Sequence, residues 1–160
     1  MIEKLQSWYR MHCDGDWEHS YGITIDTLDN PGWCVTVDLT DTLLEDVKFS
    51  AVCEGDPDSE VERWIDCRKK NDTFIGMGSP ECLQEILSIF FKWAEENTDT
   101  SKWDDKVEQL HVKCLEYDKQ ENMIEYLRDI YNAIEDIPNE HPKRQDLVGL
   151  FNECWNKAIK

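Results

Sequence analysis

The sequence predicts an α+β fold: an antiparallel β-sheet of four to five strands packed by helices, followed by a three-helix C-terminal region. Three observations predict it. Between residues 21 and 77, apolar side chains recur at every second position, with turn residues separating the runs. On either side of that region they recur at spacings of three and four. Finally, 160 residues suffice for one domain with a real core and a small helical appendage. The expected division is an α+β domain over 1–97 and a helical subdomain over 101–160, packed on the first.

Residues 2–12 place Ile2, Leu5, Trp8 and Tyr9, then His12, on one face of an amphipathic helix. Gly15, in the acidic segment CDGDWEHS, breaks it. Tyr21, Ile23 and Ile25 then alternate with Thr24 and Asp26, a half-buried strand. Asp29-Asn30-Pro31-Gly32 is turn chemistry, because Pro fixes φ and Gly accepts positive φ. Beyond it Trp33, Val35, Val37 and Leu39 alternate with Thr36 and Asp38, so the two runs read as a hairpin with one apolar and one acidic face. A third strand is expected at 46–54, with Val47, Phe49, Ala51 and Cys53 on one face. Residues 60–69 fit a strand paired with 73–77, although Ser59 and Glu62 could instead cap a short helix.

Gly78-Ser79-Pro80-Glu81 reads as a helix start, with Ser as cap and Pro at the first position. The helix over 79–95 carries Leu83, Ile86, Leu87, Phe90 and Ala94 on one stripe, widened by Ile89, Phe91 and Trp93. The polar joint NTDTS follows, then three helices. The first begins near Lys102 with Trp103, Val107, Leu110, Cys114 and Tyr117 in register. The second carries Met123, Leu127, Ile130, Ile134 and Ile137, and the third, after Pro142, carries Leu147, Leu150, Phe151, Cys154 and Trp155.

Charge bounds the function. The net charge is −18, from 35 acidic and 17 basic residues. Nucleic acid and anionic lipid both require a basic footprint, so neither is an expected partner. The acidity is uneven: residues 14–66 hold 15 acidic against two basic residues, net −13, whereas 101–160 hold 13 against nine, net −4. Such a first half favours a basic partner. No stretch of about 18 apolar residues occurs, and the N-terminus lacks the pattern of a signal peptide, so the expected compartment is the cytoplasm. The seven cysteines are scattered and odd in number, without a CxxC pair, which reads as reduced apolar filler.

The richest set of potential ligands is Cys13, Asp14, Asp16, Glu18 and His19. Zinc or iron could use these side chains, but no further ligands lie at recognisable spacing, and the calcium-loop pattern is missing. A Cys13 thiolate would be opposed by the surrounding acids. Gly76-Met77-Gly78 before a helix reads as a tight turn more than as an anion cradle. No cofactor, metal or catalytic residue is expected. Trp17 and Trp33, set among carboxylates, instead suit aromatic anchors of a protein-binding surface, or else the edge of the core.

The stretch WYRMHCDGDWEHSYGITIDTLDNPGWCVTVDL resembles the immunity 53 family of bacterial polymorphic-toxin immunity proteins, as does WIDCRKKNDTFIGMGSPECLQEILSIFFKW; together they cover about residues 4–95. The motif positions are Cys13, Asp14, Gly15, Asp16, Trp17, Glu18, His19, Tyr21, Gly22 and Leu28, with Asp29, Asn30, Pro31, Gly32 and Trp33. Gly22, Asn30, Pro31 and Gly32 read as structural from turn chemistry, and His19 and Tyr21 as fixing the loop. The resemblance implies a non-enzymatic cytoplasmic protein that binds and neutralises a cognate toxin domain, a basic nuclease being one class the charge fits. Expected contact residues are Asp14, Asp16, Trp17, Glu18, Asp26, Asp29, Trp33 and Asp38. Two other classes stay open: a metal- or Cys/His-dependent enzyme using Cys13 to His19, and an adaptor acting through the C-terminal helices. The oligomeric state is left open.

Overall fold

Alternation and helical spacing are realised in two compact units of a computed structural model, Met1–Thr98 and Asp99–Lys160, which describes residues 1–57 and 63–160. The first unit runs α1 (Ile2–His12), α2 (Trp17–Ser20), β1 (Ile23–Leu28), β2 (Gly32–Asp38), β3 (Val52–Glu54), β4 (Ile65–Lys70), β5 (Thr73–Gly78) and α3 (Leu83–Asn97). Among the described residues the strands form one sheet, ordered β1-β2-β5-β4-β3, with every neighbouring pair antiparallel. The α+β class and the five strands agree with the sequence expectation.

The register sorts side chains into rows across the sheet. Ile25 faces Val35, then Gly76, Cys67 and Val52; the next row is Asp26, Cys34, Met77, Asp66 and Cys53. Because successive side chains point to opposite faces, the first row belongs to the core and the second to the opposite face. Val35, Val37, Phe74 and Cys67 are fully buried against Ile86, Leu87 and Phe90 of α3. Helix α1 adds Trp8, whose ring meets Phe90 edge-on at 5.5 Å. On the other face the Arg68 guanidinium pairs with Asp66.

Glycine makes the helix–sheet contact possible. A Cβ at Gly76 would collide with Cγ2 of Ile86, so α3 lies closer to β5 than any side chain there would allow. Gly76-Met77-Gly78 is therefore not a turn into a helix but the second half of β5. The helix also starts later than expected, at Leu83 after Cys82, without a side-chain cap. The Ser79 hydroxyl accepts the Trp64 N–H at 2.8 Å, and the Ser79 N–H donates to the Trp64 carbonyl at 3.0 Å. Ser79 thus extends the β4–β5 pairing and its hydroxyl is not available to a helix.

The third strand is shorter than the expected 46–54. Val47 and Phe49 do pack on the core, but their segment is irregular. The Lys69 ammonium takes the carbonyls of Leu44 (3.1 Å), Glu45 and Val47 (3.0 Å), and Trp93 Nε1 takes that of Lys48 at 3.2 Å. Side chains thereby occupy acceptors that a ladder would have used. The alternation slips by one, so Val52 packs inward while Ala51 and Cys53 are exposed. Of the strand expected over 60–69, Ile65–Lys70 is found as β4, paired with β5 as expected; residues 60–62, and with them the Ser59–Glu62 alternative, lie outside the described residues.

The second unit holds α4 (Asp104–Leu115), α5 (Met123–Glu135) and α6 (Arg144–Ala158). A 3₁₀ turn over Ser101–Trp103 precedes α4, two residues later than the expected start. Val107, Leu110, Cys114, Leu127, Ile130, Ile134, Leu147, Phe151 and Cys154 build a separate core. Buried His141 accepts the Lys143 N–H on Nδ1 (3.2 Å), so its Nε2 carries the proton donated to Asp104 (3.1 Å). No helix among the described residues is long and apolar enough to cross a membrane.

Two glycine substitutions should move stability in opposite directions. Gly76→Ala should lower it by about 1–3 kcal/mol through the forced shift of Ile86. Gly149→Ala, in α6 with open space around it, should raise it by up to about 1 kcal/mol. Urea unfolding followed by circular dichroism reads both.

Candidate functional site

The segment between α1 and β1 is built by its own carboxylates. Gly15, at φ +107°, turns the chain out of α1. Asp14 Oδ1 accepts the N–H groups of Asp16 and Trp17, each at 3.0 Å, filling donors that open α2. The Glu18 carboxylate receives the Gly15 N–H through both oxygens, at 3.0 and 3.1 Å. Asp14 and Asp16 are exposed and Glu18 is half-buried. His19 is exposed, and Tyr21 sets its ring 6.1 Å from Trp17.

Trp17 departs from the expectation of an exposed anchor: its exposure is 3%. Its indole N–H donates to the Thr40 carbonyl at 2.9 Å, and its ring meets Trp8 edge-on at 5.7 Å and His12 at 5.2 Å. With the indole satisfied and the ring enclosed, burial is the favourable state. Trp33 is half-buried on the core, its Nε1 donating to the Pro80 carbonyl at 2.6 Å. Trp17 thus ties its loop to the domain as part of the core, whereas Trp33 stands partly covered at the core's edge.

The remaining expected contact residues separate along the hairpin. Asp38 Oδ2 accepts the Gly22 N–H at 3.1 Å, while its own N–H donates to the Gly22 carbonyl at 3.0 Å. This brings Asp38 beside the loop of Asp14, Asp16 and Glu18. Asp26 lies on the sheet face away from α3, with Oδ1 taking the Thr27 N–H at 2.7 Å. Asp29 is exposed at the far turn, roughly 20 Å from Gly22 at about 3.3 Å per strand residue. Asn30 fastens that turn, its Nδ2 donating to the Pro57 carbonyl at 2.7 Å, and Gly32 has no room for a Cβ against Gly78. Gly22 differs: a Cβ there would meet nothing, so space does not require glycine.

Other carboxylates join the Asp38 end without a signal in the sequence. Leu39 N–H donates to the Asp72 carbonyl at 2.7 Å, and Asp41 N–H to Glu45 Oε2 at 2.9 Å. The loops that meet there therefore also carry Asp41, Glu45, Asp46 and Asp72. Tertiary pairing, not spacing, assembles them.

The thiols offer little chemistry. Burial pushes Cys67 up to about 12 and Cys114 up to about 11, and burial also raises Cys34, with Asp26 adding to the effect. Exposed Cys13 donates to the Tyr9 carbonyl at 3.3 Å, and His12 Nδ1 lies 2.8 Å from the Trp8 carbonyl. Among the described residues no three His, Cys, Asp or Glu side chains stand together as a metal site.

Replacing Trp17 by Ala should cost about 3–5 kcal/mol in urea unfolding, whereas Asp16→Lys, at an exposed position, should change stability by no more than about 0.5 kcal/mol. Alkali should also weaken the fold. Folded Cys67 and Cys114 keep their protons to about 12 and about 11, while the unfolded thiols ionise near 9.0. The unfolded chain then binds fewer protons, so stability is full below pH 9 and falls as pH rises toward 11–12. Unfolding midpoints measured from pH 8 to 11 check the sign.

Comparison with known proteins bears on the first unit alone. No curated protein and no solved structure matches the chain. A family model described as immunity protein 53 matches residues 2–95, which is most of the chain and nearly all of the α+β unit. The chain therefore belongs to the immunity protein 53 family, whose name implies a toxin as partner.

Proposed function

We propose that this protein acts in the cytoplasm by binding and neutralising a cognate polymorphic toxin, without catalysis, through an acidic surface of its α+β unit. Family membership supplies the class of partner. The observation that carries the rest is the charge of residues 14–38: six carboxylates and not one Lys or Arg. The loops bearing Asp14, Asp16, Glu18 and Asp38 meet at one end of the sheet, with Asp26 and Asp29 continuing along the hairpin. A field of one sign accelerates capture of an oppositely charged partner and orients it on approach. A basic toxin fits that field, and nucleases, which must hold a polyanion, are one class of toxin with the matching charge. Asp14, Asp16, Glu18, Asp26, Asp29 and Asp38 are the proposed contact residues. Trp17 and Trp33 contribute by holding the loops that present them.

Co-expression with the toxin-bearing reading frame beside its own gene should restore growth and give a co-purifying complex. Without rescue and without a complex, the proposal fails. The double variant Asp14→Lys/Asp16→Lys should slow association by about tenfold or more and flatten its dependence on salt. A chain ending at Thr98 keeps the whole first core and should still protect, whereas an adaptor working through the C-terminal helices would lose its effect. Protection that survives Cys13→Ser together with His19→Ala would set aside the enzyme reading.

A further inference from the structure

We infer that the free edge of β1, with the cleft beneath it, is a docking site for an extended segment of the partner protein in which apolar residues alternate with Lys or Arg, added as a sixth strand. This rests on the proposed function for the identity of the partner, but its geometry stands apart.

Strand β1 ends the sheet order. The Gly22–Asp38 backbone bond fixes which groups point inward. Hydrogen-bonded pairs alternate along an antiparallel ladder, so Thr24, Asp26 and Leu28 address β2, and Ile23, Ile25 and Thr27 turn their N–H and C=O groups outward. Thr27's N–H is covered by Asp26 Oδ1 at 2.7 Å. Among the described residues nothing takes the outward groups of Ile23 and Ile25. They form a short, two-residue template for a further strand.

Side chains give that template a preference. Ile23 and Ile25 lie on the core face, opposite Val37 and Val35. With Leu5, Gln6 and Tyr9 of α1 they line a cleft of about 380 Å³. Ile25 is 39% exposed and Tyr9 42%, so apolar surface is left open beside an unpaired edge. A strand laid along β1 would send every second side chain into this cleft and the others to the opposite face, beside Asp26. Apolar residues suit the first set and cations the second. The surrounding stretch selects the same sign, since residues 14–38 contain no Lys or Arg. A second copy of this chain is the wrong occupant, because edge-to-edge pairing would join two chains of −18 along a stretch that carries six carboxylates over residues 14–38 and no Lys or Arg.

Amide exchange on the full-length protein tests this with the peptide acetyl-Lys-Val-Lys-Val-Lys-Val-Lys-amide as probe. In the free protein the Ile23 and Ile25 amides should exchange quickly while those of Thr24 and Asp26 are slow. The peptide should slow Ile23 and Ile25 by about tenfold or more. The Glu-for-Lys peptide should not, and Ile25→Lys, at a half-exposed position that leaves the β2 ladder intact, should abolish the effect. Protection confined to other regions, or equal protection by the acidic peptide, would overturn the inference. So would slow exchange already present in the free protein, or light scattering showing a dimer that Ile25→Lys dissolves. The toxin separates this result from the broader proposal. A complex unaffected by Ile25→Lys but weakened by Asp14→Lys/Asp16→Lys overturns strand addition and leaves the immunity reading standing. Peptide protection with no toxin complex does the reverse.

Discussion

The first unit depends on how closely α3 approaches β5. Gly76 has no side chain, Ile86 occupies the space, and the helix settles across β2, β5 and β4. That contact commits one face of the sheet to Val35, Val37, Phe74 and Cys67 and leaves the other to Asp26, Asp66 and Arg68. It also limits what else can cover the core. Helix α1 closes one flank with Trp8, and an irregular crossing from Leu39 to Ala51 closes another. Lys69 makes that crossing tolerable, because three carbonyls that would lack a ladder partner converge on one ammonium.

Periodicity made most of this legible. Alternation at Val35 and Val37 and the stripe from Ile86 to Ala94 each report burial on one face, and burial is what forms the core. The errors fall where a side chain competes with the backbone. Lys69 and Trp93 take the carbonyls of Val47 and Lys48, at the start of the strand expected over 46–54, and the Ser79 hydroxyl serves Trp64 and not the helix. Neither partner is near in sequence. Trp17 was ambiguous for a related reason: flanking carboxylates describe the loop, whereas burial is set by Trp8 and Thr40, met only after folding. The meeting of the loops that carry Asp41, Glu45 and Asp72 just beyond Asp38 had no sequence signal at all, since it follows from which loops share an end of the sheet.

The acidic segment is more ordered than its composition suggests. Asp14 and Glu18 accept backbone N–H groups, so their carboxylates are fixed before any partner arrives. Groups held in place lose less conformational entropy on binding than free side chains do. The buried Trp17 serves the same end, since its indole bond to Thr40 ties the loop to the end of β2. What looked like an anchor for a partner is an anchor for the surface itself. Acidity and family match both fall on this unit, while the helical unit closes around a core of its own.

The same carboxylates bear on the edge of β1 in two ways. An exposed edge with apolar side chains beside it invites pairing between copies, and charge is a common remedy. Asp26 supplies it twice, by covering the Thr27 N–H and by placing a negative charge next to Cys34 on the outer face. That remedy is selective in sign. It repels a second acidic strand and attracts a basic one, so a charge that opposes pairing between copies would also choose the partner.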